Sequence, residues 1–457
     1  MIPRSPVRFV LLAAASLTLP GAVAAQDTTR STTERIEELE QQIRILARLR
    51  EIELDSAVQA ARGRPTVNTS GDGFFFRSAD GNWRLRIGGY IQADARFYPG
   101  DDAGILTNTL GIRRARPLVE GTVYQYFDFR ILPDFGAGTP SLYEAYLEAR
   151  IGRALSIRAG KYKPPVGLER LQSATDLRFV ERGFPTNLAP NRDVGLQIGG
   201  EVAGGTVSYQ AGIFNGVPDL GFGDADANDA KDLAGRIFFA PFARQGRAAP
   251  VALGFGVSGS IGNERGTIAA PQTSNLRTPG QAVFFRYRTG ATAAAAVIAD
   301  GRRTRLAPQA YLYRGSLGLL TEYTSNHHTV RRDSVVQTIR HQGWQVAGSF
   351  FLTGEKASSR GVTPMKVFDP KAGTWGAVEI AGRVQQTGVD DAAFPFLADP
   401  ATAASWAKAW SLGINWHFAK NVKLMVDYEH TTFTGGAANG ANRPVETFIV
   451  TRFQTAF

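Results

Sequence analysis

The stretch from Trp83 to Phe97, WRLRIGGYIQADARF, alternates between two kinds of side chain at every residue. One set is apolar or small, and the other is polar and rich in arginine. A repeat of two predicts a β-strand with two unlike faces. At about 3.3 Å per residue such a strand approaches 50 Å, longer than the five or six residues usual in globular sheets. The constraint on the fold is therefore the solvent that each face meets.

Similar alternating segments follow one another from Phe74 to the end of the chain, and we count sixteen to eighteen of them. Some connections are tight, such as Ala419 to Asn421. Others are long and polar: Asn215–Asp232, Asn263–Gly280, Lys356–Thr374 and Gln386–Lys408. Short turns at one rim and long loops at the other are typical of an outer-membrane barrel. The predicted fold is all-β, a transmembrane antiparallel β-barrel of about 16 strands.

The N-terminus predicts a cleaved secretory signal peptide over residues 1–25. Arg4 and Arg8 precede an apolar segment, Phe9–Leu19, and small residues at 22–25 offer a cleavage site. The apolar segment is too short to be a comfortable membrane anchor, and no later apolar run reaches the roughly 20 residues of a spanning helix. We therefore expect export, a periplasmic segment over 26–73, and the barrel over 74–457.

The periplasmic segment contains a predicted helix. Ser31 and Glu34 fit a capping box, and apolar residues recur at spacings of three and four at Ile36, Leu39, Ile43 and Leu46. We favour a short coiled coil that associates with sister chains, because a lone helix has nothing to bury this stripe. The alternative is a single amphipathic helix lying on the barrel. Residues 62–73 are predicted to be a linker.

In a membrane barrel the apolar set faces lipid and the polar set faces the lumen. An arginine turned toward the bilayer midplane would cost about 2–4 kcal/mol. The same alternation assigns to the pore wall the residues Arg84, Arg86, Tyr90, Arg96, Arg116, Arg130 and Arg158. Each arginine alone is better explained as a solvated wall residue paired with Glu120, Asp128, Glu144 or Glu148. As a set, they form a positive wall that favours small anions over cations.

Other chemistry has weak support. The chain has no cysteine, which excludes thiolate metal sites and cysteine nucleophiles, and its formal charge of +10 permits an anionic partner without identifying one. Asp224–Asp232 lacks the glycine and the glutamate of a calcium loop, and the G-x-G-x-x-G match at Gly254 has no helix after it. We predict no catalytic residues, metal, cofactor or nucleic-acid partner. Two alternatives stay open: a barrel hydrolase, although no G-x-S-x-G occurs, and a soluble secreted β-rich binding protein.

Several stretches resemble the phosphate-selective porins of the O and P type. They include LRIGGYIQADARF, LGIRRARPLVEG, IRAGKYKPPVGLERLQSATDLRFVERGFPTNLAPNRDVGLQIGG and SLGINWHFAKNVKLMVDYEHTTF, and the likeness extends over about 74–457. The final Phe457, on an alternating strand, resembles the signal that the barrel-assembly machinery recognises. The resemblance implies an outer-membrane location, a sixteen-stranded homotrimer, and passive diffusion of phosphate or related oxyanions.

The resemblance also implies a constriction. The long loop after the fifth strand, Lys163–Asp193, should fold into the pore, with a helix-like piece at Glu169–Arg182. By the family pattern the anion-binding residues are Arg113, Arg114 and Arg170, and the constriction loop adds Lys161, Lys163, Arg178 and Arg182. One position departs, because Tyr90 stands where the family carries an arginine, which weakens the case for phosphate. The alternative is a porin without phosphate specificity.

Overall fold

The computed structural model describes residues 32–62, 64–100, 106–223, 226, 228–248 and 251–457. The predicted signal peptide and the capping residue Ser31 lie outside these residues. Helix α1, Thr32–Arg62, forms a unit separate from the barrel, which begins at Pro65. Its apolar residues Ile36, Leu39, Ile43 and Leu46 are all more than half exposed, so its self-association stays a prediction. No described helix is long and apolar enough to cross a membrane.

The described residues contain twenty strands, and sixteen of them, β3–β11 and β14–β20, close into one antiparallel barrel. The bounds are β1 Thr66–Ser70, β2 Gly73–Arg77, β3 Trp83–Phe97, β4 Thr109–Val123, β5 Phe127–Asp134, β6 Ser141–Arg150, β7 Ser156–Tyr162, β8 Asp193–Val202, β9 Val207–Phe214, β10 Asp232–Phe239, β11 Ala252–Arg265, β12 Leu276–Arg277, β13 Val283–Phe285, β14 Val297–Arg314, β15 Leu317–Arg332, β16 Val335–Phe351, β17 Ala377–Val389, β18 Ala404–Ala419, β19 Val422–Gly435 and β20 Glu446–Ala456.

The barrel closes where β20 pairs with β3, from Ile449 opposite Phe97 to Ala456 opposite Tyr90. The backbone of Phe457 extends this seam, because its amide and carbonyl both hydrogen bond to Gly89, at 2.9 and 2.8 Å. Below the seam, β2 takes over the same edge of β3 and pairs with β1. The prediction of a linker over 62–73 is therefore wrong for Thr66–Gly73, whose β-branched residues and Gly71-Asp72 turn form a hairpin.

The wall of β3 has the two faces that its sequence predicts. Ile87, Ile91 and Phe97 point outward and are 39–45% exposed, whereas Gln92, Asp94 and Arg96 point into the barrel and are buried. On β4 the pairing shifts between Gln92–Arg114 and Ala93–Ile112, so Arg113 is the extra residue of a β-bulge. Since a bulge breaks the alternation, Arg113 and Arg114 both reach the interior although they are adjacent in sequence.

The first barrel strand begins and the last one ends at the same rim, where connections such as 124–126, 315–316 and 420–421 are tight. Three of the four predicted long loops, near 215–232, 263–280 and 386–408, join strands at the opposite rim. The fourth, near 356–374, does not: it joins β16 to β17 at the rim of the tight turns. The simple division of loops by length is wrong at this position, because residues 352–376 fold back into the barrel mouth instead of projecting from it.

Candidate functional site: a basic passage inside the barrel

Residues 163–192, which we call the inner loop, connect the fifth and sixth barrel strands and lie inside the barrel. Backbone amides attach the loop to one wall: Leu168 donates to Glu322 at 2.7 Å, Val180 to Asp427 at 2.5 Å and Phe184 to Gln385 at 2.8 Å. These acceptors belong to β15, β19 and β17. Because the loop occupies that side, the open part of the bore lies along β3–β10.

The piece Glu169–Arg182 is not helical, contrary to the prediction. It forms a series of turns, and the nearest helical segment is a 3₁₀ turn at Phe184–Leu188. The reason is visible in the partners of its carbonyl groups. Lys163 donates to the carbonyls of Leu171 and Gln172, and Arg182 donates to those of Glu169 and Gln172. These side-chain donors hold the segment in separate turns, such as the one closed by the Gln172 amide on the Glu169 carbonyl at 3.2 Å.

The central cavity, which we call the basic chamber, has a volume of about 400 Å³ and lies between the inner loop and the wall. Among the described residues, Glu144 is the one carboxylate that lines it, and seven side chains are cationic: Arg116, Arg130, Arg158, Lys163, Arg182, Arg192 and Arg236. Fixed positive charge around a narrow aqueous space lowers the energy of an anion and raises that of a cation. The chamber can therefore act as an anion-selective constriction.

The cations of the chamber differ in how far they are neutralised. Arg116 pairs with Asp134 at 2.7 Å, Arg158 with Glu148 at 2.8 Å and Arg192 with Glu144 at 2.8 Å. Arg130 lies 3.2 Å from Glu144 and 3.3 Å from Glu120. Among the described residues, no carboxylate lies within ion-pair distance of Lys163, Arg182 or Arg236. These three carry the excess charge of the chamber.

Burial and the neighbouring Arg192 and Arg182 guanidinium groups hold the pKa of Lys163 well below its usual range. An arriving anion would offset that repulsion and favour the protonated amine.

Aromatic rings hold the wall arginines in place. The Arg116 guanidinium lies 3.5 Å from the centre of the Tyr143 ring, and that of Arg192 lies 3.9 Å from the same ring. Tyr90 accepts a hydrogen bond from Arg116 at 2.7 Å. The tyrosine at the position of the family's arginine therefore orients a neighbouring arginine, and it remains part of the chamber lining.

A second cavity of about 220 Å³ lies toward the rim of the long loops and contains Arg113, Arg114 and Arg170. Glu181 of the inner loop lies among four guanidinium groups: Arg96 at 2.7 Å, Arg113 at 2.8 Å, Arg452 at 3.5 Å and Arg114 at 3.6 Å. Burial alone would raise the pKa of Glu181, but these arginines hold it well below its usual range. Arg113 and Arg114 therefore share one carboxylate, which neutralises part of their charge.

Arg170 has a different environment from Arg113 and Arg114. It donates to the backbone carbonyl of Thr186 at 2.6 Å and to Asn191 at 3.3 Å. Both partners are neutral, so its charge persists at the edge of this cavity.

A third cavity of about 430 Å³ opens at the rim of the chain ends and includes Arg86 and Tyr90. Residues 352–376 form part of its wall. Arg178 of the inner loop donates to the carbonyl of Ser358 at 2.9 Å, and Val362 packs beside the buried Tyr313 and Phe351. The basic chamber shares Arg182 with the second cavity, and Tyr90 and Arg130 with the third. The three cavities are thus neighbours along one passage.

The remaining predicted residues lie outside these three cavities. Arg84 is exposed near the rim end of β3, and the Lys161 ammonium lies 3.9 Å from the Phe222 ring. Arg96 is buried against Asp94 at 2.8 Å. Arg178 points to the opposite wall, where it contacts Ser349 at 2.8 Å and Glu379 at 3.4 Å. The structure places these four side chains around the passage and not on its lining.

Sequence reasoning missed four residues of the site. Arg236 lines the chamber, and the inward parity of β10 could have identified it. Arg192 stands just before β8 in the stretch that carries the family likeness, but no alternation extends to it. The inward parity of β20 could likewise have identified Arg452, but nothing in the local pattern distinguishes Glu181, whose contact with Arg452 joins segments more than 200 residues apart.

A closed sixteen-stranded barrel, with a loop folded into an arginine-rich bore, is the architecture of an outer-membrane porin. The profile of the family described as phosphate-selective porin O and P matches residues 85–457. The chain belongs to that family. It is a channel protein of the outer membrane and not an enzyme.

Individual relatives are distant. Porin O of Pseudomonas aeruginosa is 23% identical over 446 residues, which cover 88% of this chain and 96% of that protein. Among solved structures, the outer membrane channel DcaP of Acinetobacter baumannii is 11% identical with a TM-score of 0.52, over 84% of this chain and 99% of that one. The anion-selective porin from Comamonas acidovorans is 12% identical with a TM-score of 0.51, over 82% and 100%. At these identities the two structures support the fold alone.

Proposed function

We propose that this porin is a passive, anion-preferring channel whose solutes are phosphate or related oxyanions. The observation that carries the proposal is the basic chamber, where seven cations and one carboxylate surround about 400 Å³. Guanidinium groups match the oxygens of a tetrahedral anion in pairs, and their fixed positions cost the ion little reorganisation. The family description, phosphate-selective porin O and P, supports the same substrate class.

Transport requires that the ion also leave. The wall arginines are held by carboxylates and by tyrosine rings, so each offers an anion only part of its hydrogen-bonding capacity. The stronger attraction comes from Lys163 and Arg182 of the inner loop and from Arg236 of β10, which line the chamber. An ion can exchange one set of partners for the next as it passes from the cavity of Arg170 to that of Arg86. Weak contacts at several sites allow conduction down a gradient.

The first experiment measures the reversal potential of the full chain in planar bilayers under a potassium chloride gradient. We expect anion preference and a chloride current that added phosphate reduces. Cation preference would refute the proposal. Anion preference with no effect of phosphate would favour the second candidate, a porin without phosphate specificity, for which Tyr90 in the family's arginine position is the supporting observation.

Variants separate the chamber from the outer cavity. Arg182→Gln removes a cation that has no carboxylate partner, and Arg113→Gln removes one already paired with Glu181 at 2.8 Å. Arg182→Gln should reduce the ratio of anion to cation permeability more than Arg113→Gln. The control is Arg153→Gln, at an exposed ion pair with Glu201 at 3.4 Å. Equal effects of Arg182→Gln and Arg153→Gln would remove the chamber from the selectivity mechanism.

The remaining sequence predictions belong to the same proposal. We propose a homotrimer whose chains also associate through α1, export by a cleaved signal over residues 1–25, and recognition of the Phe457 strand by the assembly machinery. The exposed apolar stripe of α1 supports the association, the position of Phe457 at the closing seam supports recognition of that strand, and the sequence of residues 1–25 supports export.

A further inference from the structure

The outward-facing side chains of β15 and β16 change from apolar to polar at a pair of aromatic residues. Leu319 and Val346 are exposed apolar residues near the rim of the chain ends. Tyr323 and Trp344 are cross-strand partners, and beyond them the outward side chains are Ser325, His327, Arg340 and Gln342. Aromatic side chains flank the lipid-facing band of such barrels. Arg340 therefore stands at the level of lipid headgroups.

Arg340 is held in a defined position. It donates to the Tyr323 hydroxyl at 2.7 Å and to the Ser325 hydroxyl at 3.2 Å, and the Tyr323 hydroxyl donates to Gln342 at 3.0 Å. Asp390 accepts the backbone amide of Arg340, at 3.0 Å. Within the described part of the chain, no carboxylate forms an ion pair with the Arg340 guanidinium. At the level of the headgroups such a cation costs little, and it attracts an anionic headgroup by about 1 kcal/mol.

An apolar groove begins at the same tyrosine. It has a volume of about 620 Å³ on the outer wall and runs from Tyr323 and Trp344 across β14 to β10. Its floor includes the small residues Pro308 and Ala310, and its far side includes Phe239 and Phe255. Small side chains between large exposed ones leave a depression in the lipid-facing surface.

From these two features we infer that the outer wall binds one lipid with an anionic, phosphate-bearing headgroup. The headgroup phosphate contacts Arg340, with Gln342 as a further polar neighbour, and an acyl chain lies in the groove below Tyr323. The paired N–H groups of a guanidinium suit a phosphate, and the groove has the apolar lining that a hydrocarbon chain requires. The headgroup level favours a membrane lipid over a free anion as the occupant.

The test uses the full chain reconstituted in bilayer discs of neutral phosphatidylcholine with a minor fraction of phosphatidylglycerol. Native mass spectrometry after release counts the lipids that each variant retains. The wild type should retain phosphatidylglycerol preferentially, and Arg340→Gln should reduce that preference by roughly fivefold, the effect of one interfacial charge. Lys371→Gln, a basic-to-neutral change in the exposed part of residues 352–376, should leave it unchanged.

A second variant tests the groove without changing charge. Ala310→Phe fills the floor, and it should reduce retention of both lipids while the reversal potential of the pore stays that of the wild type. Equal retention of phosphatidylglycerol by wild type and Arg340→Gln would overturn the inference, as would equal retention of the two lipids by the wild type.

Discussion

The ion pairs of Glu181 lead to a specific prediction for the inner loop. The substitution Glu181→Gln keeps the shape of the side chain and removes the charge that four arginines surround. Arg96 and Arg452 retain Asp94, at 2.8 and 2.6 Å, whereas Arg113 and Arg114 lose their one carboxylate in the described chain. Removing one partner of a buried ion pair costs about 3–5 kcal/mol, because the other charge is left uncompensated.

Solvent exposure of Arg113 reduces the expected free-energy cost of Glu181→Gln. Arg113 is 29% exposed, so water recovers part of the loss, and we take the lower end, about 3 kcal/mol. Since about 1.4 kcal/mol corresponds to a factor of ten, the open population of the inner loop should rise roughly a hundredfold. The contacts of Leu168, Val180 and Phe184 with the opposite wall are unaffected, so the barrel itself should stay folded.

Hydrogen exchange measured by mass spectrometry in lipid discs resolves this effect. Peptides within 163–192 should exchange about a hundredfold faster in Glu181→Gln than in the wild type, and peptides from β14–β16 should not change. Glu201→Gln is the matched control, because the same substitution there removes an exposed pair of little energetic value. If the inner loop exchanges at the same rate in both variants, Glu181 does not hold it.

Three further predictions follow from other parts of the chain. Because the pKa of Lys163 is lowered, its positive charge is present at low pH and is lost as the pH rises past that pKa. Anion preference should therefore fall with rising pH. Lys163→Met should flatten the dependence of the reversal potential on pH. Ile43→Asp places a charge in the exposed stripe of α1 and should weaken association of detergent-solubilised chains in sedimentation, whereas the nearby Arg44→Gln should not. Deleting residues 358–362 should widen the mouth at the rim of the chain ends and raise single-channel conductance; unchanged conductance would show that these residues do not restrict the passage.

The barrel follows from the sequence because its rule is local. Each strand alternates, and the cost of a charge in lipid fixes which face is outside, so Ile91 and Gln92 are assigned without knowledge of any partner. Closure leaves no unpaired edge in the membrane, which makes one continuous wall the outcome of many alternating segments. The same reasoning extends to Arg116, Arg130 and Arg158, whose inward positions follow from parity alone.

The site follows from the sequence only in part, because its chemistry depends on contacts across the bore. Alternation would send Arg113 outward, and a one-residue bulge brings it inward. The local sequence does not predict that Glu181 forms ion pairs with Arg113 and Arg114. It also does not predict that Lys163 and Arg182 donate to backbone carbonyls of the inner loop. Residues 352–376 have the composition of an external loop, and only their contacts with Arg178 and the barrel interior show that they fold inward.

These pairings determine where selectivity resides. A carboxylate on the next strand can neutralise the charge of an arginine, as Glu148 does for Arg158. The attraction of that arginine for a passing ion is then small. The inner loop is different, because Lys163 and Arg182 donate their hydrogen bonds to neutral carbonyls of the loop itself. Arg182, and Lys163 when it is protonated, therefore face the chamber with an uncompensated charge. The cations that stabilise the loop's irregular path are therefore the ones that face the chamber with net positive charge. Under the proposed function, folding of the loop and preference for anions depend on the same two side chains, so a substitution at either should change both properties together.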